Sequence, residues 1–121
     1  MSFDWAEYLV LARQLQRSGE EAKLRTAISR AYYAAFCKAR NYVRDVDRDT
    51  DVPKDGRAHS YVKNKFIQSR YGVRTGIGAD LNRLRIRRGK ADYQDRVAGL
   101  PSMAKSAVCL ANKVLSDLAR I

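Results

Sequence analysis

Apolar residues along this chain recur at helical spacing, and the longest uninterrupted pattern runs from 20 to 44, EEAKLRTAISRAYYAAFCKARNYVR. At about 100° per residue, Leu24, Ile28, Ala31, Tyr32, Ala35, Phe36, Ala39, Tyr42 and Val43 share one broad face. A face that wide predicts a helix packed by several neighbours. The opposite side carries Arg30, Tyr33, Cys37, Arg40 and Arg44, a basic stripe with an aromatic set in it.

The same spacing predicts four more helices. Residues 4–17 place Trp5, Tyr8, Leu9, Ala12 and Leu15 on one stripe, and Ser18-Gly19 ends the pattern. Residues 57–71 turn Ala58, His59, Val62 and Phe66 inward. Gly72, Gly76 and Gly78 read as a flexible connection, followed by a helix from about Ile77 to Tyr93 with Ile77, Leu81, Leu84 and Ala91 spaced for burial. Gly99 and Pro101 open the last helix, which lines Ala104, Ala107, Val108, Ala111, Val114, Leu115 and Leu118 along one side. Residues 45–56, DVDRDTDVPKDG, are aperiodic and acidic, a solvated loop. No segment alternates as a strand does. The expected fold class is all-α, an up-and-down helical bundle forming one domain over 1–121.

Composition narrows the chemistry. Asp47, Asp49 and Asp51 open like a calcium loop but lack its turn glycine and closing Glu. Cys37 and Cys109 have no CxxC or His partner at ligand spacing, so no metal, cofactor or disulfide framework is expected. No apolar run is long enough for a membrane span, and MSFDWAEYLV lacks the features of an export signal; a cytoplasmic location is expected. Ser29 and Cys37 have no general base in a recognisable motif.

Charge points to a partner. The formal net charge is +11, and residues 57–90 hold ten Lys or Arg against one acid, Asp80. Density peaks in LNRLRIRRGK, where Arg83, Arg85, Arg87, Arg88 and Lys90 fall together. Guanidinium groups bind phosphate bidentately and stack on bases, so this run suits RNA or DNA backbone, or an acidic protein. Arg88 lies on the inward stripe of its helix, where a charge needs a partner. Asp92, one turn on, is the nearest. His59 is the single imidazole, and its apolar surroundings favour a packing role.

WAEYLVLA, LRTAISRAYYAAFCKAR, HSYV and LNRLRIRRGKADY together resemble the HEPN family, small helical domains of prokaryotic toxin–antitoxin and defence systems. The resemblance covers nearly the whole chain. It implies a four-helix up-and-down bundle with one additional helix, commonly a homodimer. It also implies metal-independent RNA cleavage by an Arg and a His brought together across the dimer cleft. Arg87 or Arg88 matches the Arg, whereas Tyr93 stands where the His is expected. A phenol with a pKa near 10 is a poor base at neutral pH. The residues expected to act on RNA are therefore Arg87 and Arg88 on phosphate, Tyr93 as positioner and His59 as base. Arg83, Arg85, Lys90, Arg30, Tyr33 and Arg40 are expected to bind the strand, with the stripe of residues 20–44 lining the groove that receives Arg88 and Tyr93. The alternative is a non-catalytic nucleic-acid- or nucleotide-binding module paired with a nucleotidyltransferase antitoxin, as the resemblance implies.

Overall fold

The computed structural model describes residues 2–121, and these form five α-helices with no strand among them. They are α1 (Ala6–Gln16), α2 (Glu21–Asp45), α3 (Ala58–Ile67), α4 (Gly72–Tyr93) and α5 (Leu100–Arg120). Among the described residues, no helix is long and apolar enough to cross a membrane.

α2 is the central element and packs on each of the other four helices. Its burial explains why its apolar face is so broad. Beyond the expected positions, Ala27, Ser29, Ala34 and Cys37 are also buried, so little of the helix is left to solvent. Small side chains at 27, 31, 34, 35 and 39 allow neighbouring backbones to approach closely, and Leu24, Ile28, Tyr32, Phe36 and Val43 fill the gaps. One hydrophobic cluster joins all five helices, with Phe66, Ile77, Leu84 and Val114 fully buried in it. Each such side chain contributes about 1.5–3 kcal/mol relative to exposure.

Two helix boundaries differ from expectation. α3 ends at Ile67, and α4 begins at Gly72, so Gly72, Gly76 and Gly78 are helical and not a flexible connection. Gly78 has a packing reason. A Cβ there would lie 2.6 Å from Ile67 Cγ1 and 2.7 Å from the Ile67 backbone nitrogen, so α3 meets α4 where only glycine fits. At the other end of α4, Arg25 of α2 donates to the carbonyls of Ala91 (2.9 Å), Gln94 (2.6 Å) and Asp95 (3.1 Å). A guanidinium thereby supplies donors that the helix end lacks. α5 starts from Gly99 at φ 65°, a conformation suited to glycine, with a proline in its first turn.

The acidic loop is less free than its composition predicts. Asp47 pairs with Arg74 of α4 at 2.7 Å, and Asp49 accepts from Tyr61 Oη (2.8 Å) and approaches Lys65 (3.5 Å). The loop is tied to α3 and α4 by its own carboxylates.

Candidate functional site

The site grows from two adjacent tyrosines. Tyr32 lies on the buried face of α2, 2% exposed, and Tyr33 sits about 100° further round the same helix. The Tyr32 hydroxyl reaches Nδ1 of His59, in the first turn of α3, at 2.5 Å. The imidazole stacks on Phe36 with centroids 4.3 Å apart, lies nearly parallel to Tyr32 at 5.6 Å and meets Tyr33 edge-on at 6.0 Å.

The protonation states follow from surroundings. Burial pushes the Tyr32 phenol well above its ordinary value, with Arg85 and Arg88 opposing. Burial holds the His59 imidazole below its ordinary value, and Arg85 and Arg88 push it the same way. Both shifts leave the proton on the phenol, so Tyr32 donates and neutral His59 accepts at Nδ1. The remaining ring proton is then on Nε2, which makes that edge of His59 a donor.

α4 completes the arrangement. The Arg88 guanidinium lies 5.4 Å from the Tyr32 ring and 5.7 Å from the Tyr33 ring. Its side chain is 16% exposed, its link to Asp92 is long at 3.5 Å, and its buried Nε has no acceptor among the described residues. The pairing with Asp92 matches the sequence expectation, but it satisfies little of the guanidinium. Arg85 donates to Ser60 of α3 at 3.0 Å. The Arg88 guanidinium and the His59 imidazole therefore share an aromatic floor within one chain, with Arg85 held beside them on Ser60, the residue after His59. A set composed of donors suits an anion with several oxygens, such as a phosphodiester.

Turning about 100° per residue sorts the basic run of α4. Arg85 lies about 60° from Arg88. Arg83, Lys90 and Tyr93 lie about 140–160° away, and Arg87 about 100°. The run is thus not one patch. Arg83 pairs at 2.8 Å with Asp80, which is buried and also bound by Lys113 of α5 at 2.7 Å. Tyr93 is 78% exposed and Ile86 54% exposed on that same side. Within the chain Tyr93 does not project into the groove beside Arg88, contrary to expectation.

The stripe on α2 divides as well. Tyr33 joins Arg88, and Cys37 is buried, its thiol pushed up by burial. Arg44 pairs with its neighbour Asp45 at 2.8 Å. Arg30 lies over Tyr8 (4.7 Å) and Tyr33 (5.2 Å), and Arg40 over Trp5 (5.5 Å) and Phe36 (6.0 Å). A groove of about 500 Å³ continues from Phe36 and His59 along Arg40 and Arg44 to the loop at Lys54. Among the described residues, no group of three or more His, Cys, Asp or Glu side chains is placed to hold a metal ion.

Sequence reasoning assigned Tyr32 and Phe36 to the core alone, yet they hold the imidazole and the guanidinium. The available signal was the Tyr32-Tyr33 pair, which must face two directions from one helix. No family model, curated protein or solved structure matches the chain.

Proposed function

We propose that the chain is a HEPN-like domain that engages single-stranded RNA through the Arg85–Arg88–His59 centre. In this reading α1, α2, α4 and α5 are the up-and-down bundle, and short α3 is the additional helix that carries the imidazole. The observation that carries the proposal is the Arg88 guanidinium. It is mostly buried against Tyr32 and Tyr33, it has one long contact to a carboxylate, and its Nε lacks an acceptor. Holding a cation this way is costly for the fold, and an anionic ligand compensates it.

The reading is of binding first. Abstraction of a ribose 2′-OH proton needs a free imidazole lone pair, and Tyr32 already donates to Nδ1. The second reading, a metal-independent endoribonuclease of a toxin–antitoxin or phage-defence module, is favoured by the closeness of His59 to two guanidinium groups. There His59 Nε2–H and Arg88 would stabilise charge on the phosphate during in-line attack. The resemblance adds a homodimer and a nucleotidyltransferase partner to both readings. A second subunit is not needed to bring His59 and Arg88 together.

The test is fluorescence anisotropy of labelled single-stranded RNA with EDTA present, followed by electrophoresis of the same samples. Salt-sensitive binding that Arg88→Ala weakens about tenfold or more supports the binding reading. Strand scission lost in both Arg88→Ala and His59→Ala would establish the second. Equal RNA affinity in wild type and Arg88→Ala would exclude both at this site.

A further inference from the structure

The face shared by α1 and α2 holds a second arrangement of arginines and rings. A pocket of about 360 Å³ is lined by Trp5, just before α1, and Tyr8 of α1 with Arg30, Tyr33, Phe36 and Arg40 of α2. That volume lies within the range of small-ligand sites, roughly 300–1,000 Å³. Each guanidinium is backed by two rings, Arg30 by Tyr8 and Tyr33, Arg40 by Trp5 and Phe36. The backing restricts the planes of both groups before any ligand arrives.

Neither arginine has a carboxylate partner among the described residues. Arg30 donates to Ser29 Oγ at 3.3 Å and Arg40 to Asn41 Oδ1 at 3.0 Å, both neighbours in sequence. The nearby acid does not serve them, because Asp4 pairs with Lys38 at 2.9 Å. Arg74 on Asp47 and Arg83 and Lys113 on Asp80 show the contrasting case, cations held by a carboxylate. Two aromatic-backed, unneutralised guanidinium groups beside one pocket suit a base that stacks and phosphates that pair.

Spacing favours a strand over a free nucleotide. Arg30 and Arg40 are ten residues apart on one helix, so their backbone positions lie about 15 Å apart along its axis, a span that suits successive phosphates. Tyr33 also lies 5.7 Å from Arg88, and Phe36 stacks on His59, so the pocket shares two walls with the centre described above.

We infer that the α1–α2 pocket is a stacking subsite for single-stranded RNA. A base lies among the ring-backed guanidinium planes, and phosphates on either side are held by Arg30 and Arg40. This rests on the RNA-engaging reading and adds to it the strand's path, across α2 from the Arg88 centre towards α1.

Trp5 is the single tryptophan of the chain, so its fluorescence reports on this pocket alone. Full-length protein would be titrated with a single-stranded RNA of about ten nucleotides, the scale of known single-strand sites. The same RNA as a duplex and adenosine monophosphate would be titrated in parallel, with anisotropy recording total binding. The subsite requires Trp5 emission to change with the single strand and much less with the duplex or the mononucleotide. Arg30→Gln and Arg40→Gln should each weaken binding about tenfold. Lys105→Gln, which removes the same charge from an exposed position of α5, should cost less than about threefold. Arg40→Lys keeps the charge without the planar stack and should recover only part of the loss. Equal losses in Arg40→Gln and Lys105→Gln would reduce the effect to net charge and overturn the subsite. Binding by anisotropy with silent Trp5 would overturn it while leaving the RNA reading intact. An equal response to adenosine monophosphate would overturn the strand and leave a nucleotide site. No binding by either readout would overturn both proposals.

Discussion

The two charged sides of α4 have nearly the same composition and opposite characters. On one side Arg85 and Arg88 face α2 and α3, where rings and a hydroxyl receive them and a single carboxylate offers one long contact. On the other, Arg83 is neutralised by Asp80, which Lys113 binds in turn. The first side holds cations without adequate anions, and the second holds a buried anion supplied with cations. Unneutralised charge on a packed surface costs stability and is useful for ligand binding, whereas neutralised charge contributes to the fold.

That contrast can be broken most sharply on the neutralised side. Asp80→Ala removes two charge-assisted bonds, one within α4 to Arg83 and one to Lys113 of α5, and should cost about 1–3 kcal/mol of stability. Chemical denaturation would measure this, and RNA affinity should stay within about twofold. A stable Asp80→Ala protein with impaired binding would invert the assignment of the two sides. Next in size, Arg88→Met should lower RNA affinity about tenfold or more while the melting temperature holds or rises. Replacing a poorly compensated buried charge with an apolar side chain of similar length is commonly neutral or stabilising. A Tm that falls steeply in Arg88→Met would make Arg88 a structural cation.

A smaller effect should appear in the pH dependence. The folded imidazole of His59 has a lowered pKa, so the unfolded chain binds the proton more readily. The resulting contribution is fully present above the unfolded value of about 6.5 and is lost as pH falls through it towards the folded value. Wild type should therefore lose stability on acidification from about pH 7 to 5 relative to His59→Gln, measured by urea denaturation. Parallel pH profiles for the two proteins would rule out an imidazole held neutral by its surroundings. The smallest effect belongs to Lys90→Gln, with Tm unchanged within about a degree and RNA affinity within about threefold.

Much of the helical framework was legible from spacing. The 3.6-residue period located α2 and α5 closely because both bury long stripes around a common core, where one register satisfies many side chains. The boundary between α3 and α4 was not legible. Glycine lowers helix propensity and reads as a break, but Gly78 is selected by Ile67 of a different helix. Propensity describes a residue alone, and a close helix crossing is a property of two.

The candidate site divides the same way. The sequence by itself determined an all-helical chain, a central helix with one broad apolar face, a strong basic excess and an Arg88 misplaced for solvent. Helical phase alone also separates Arg85 and Arg88 from Arg83 and Lys90. Only the tertiary structure decided which side meets a carboxylate and which meets rings. It set His59 against Tyr32 across 27 positions of chain and enclosed Arg30 and Arg40 with Trp5 and Tyr8. Periodicity fixes the direction of a side chain from its own axis. What stands in that direction depends on how the helices pack, and that decides whether an arginine is neutralised or left open to an anion.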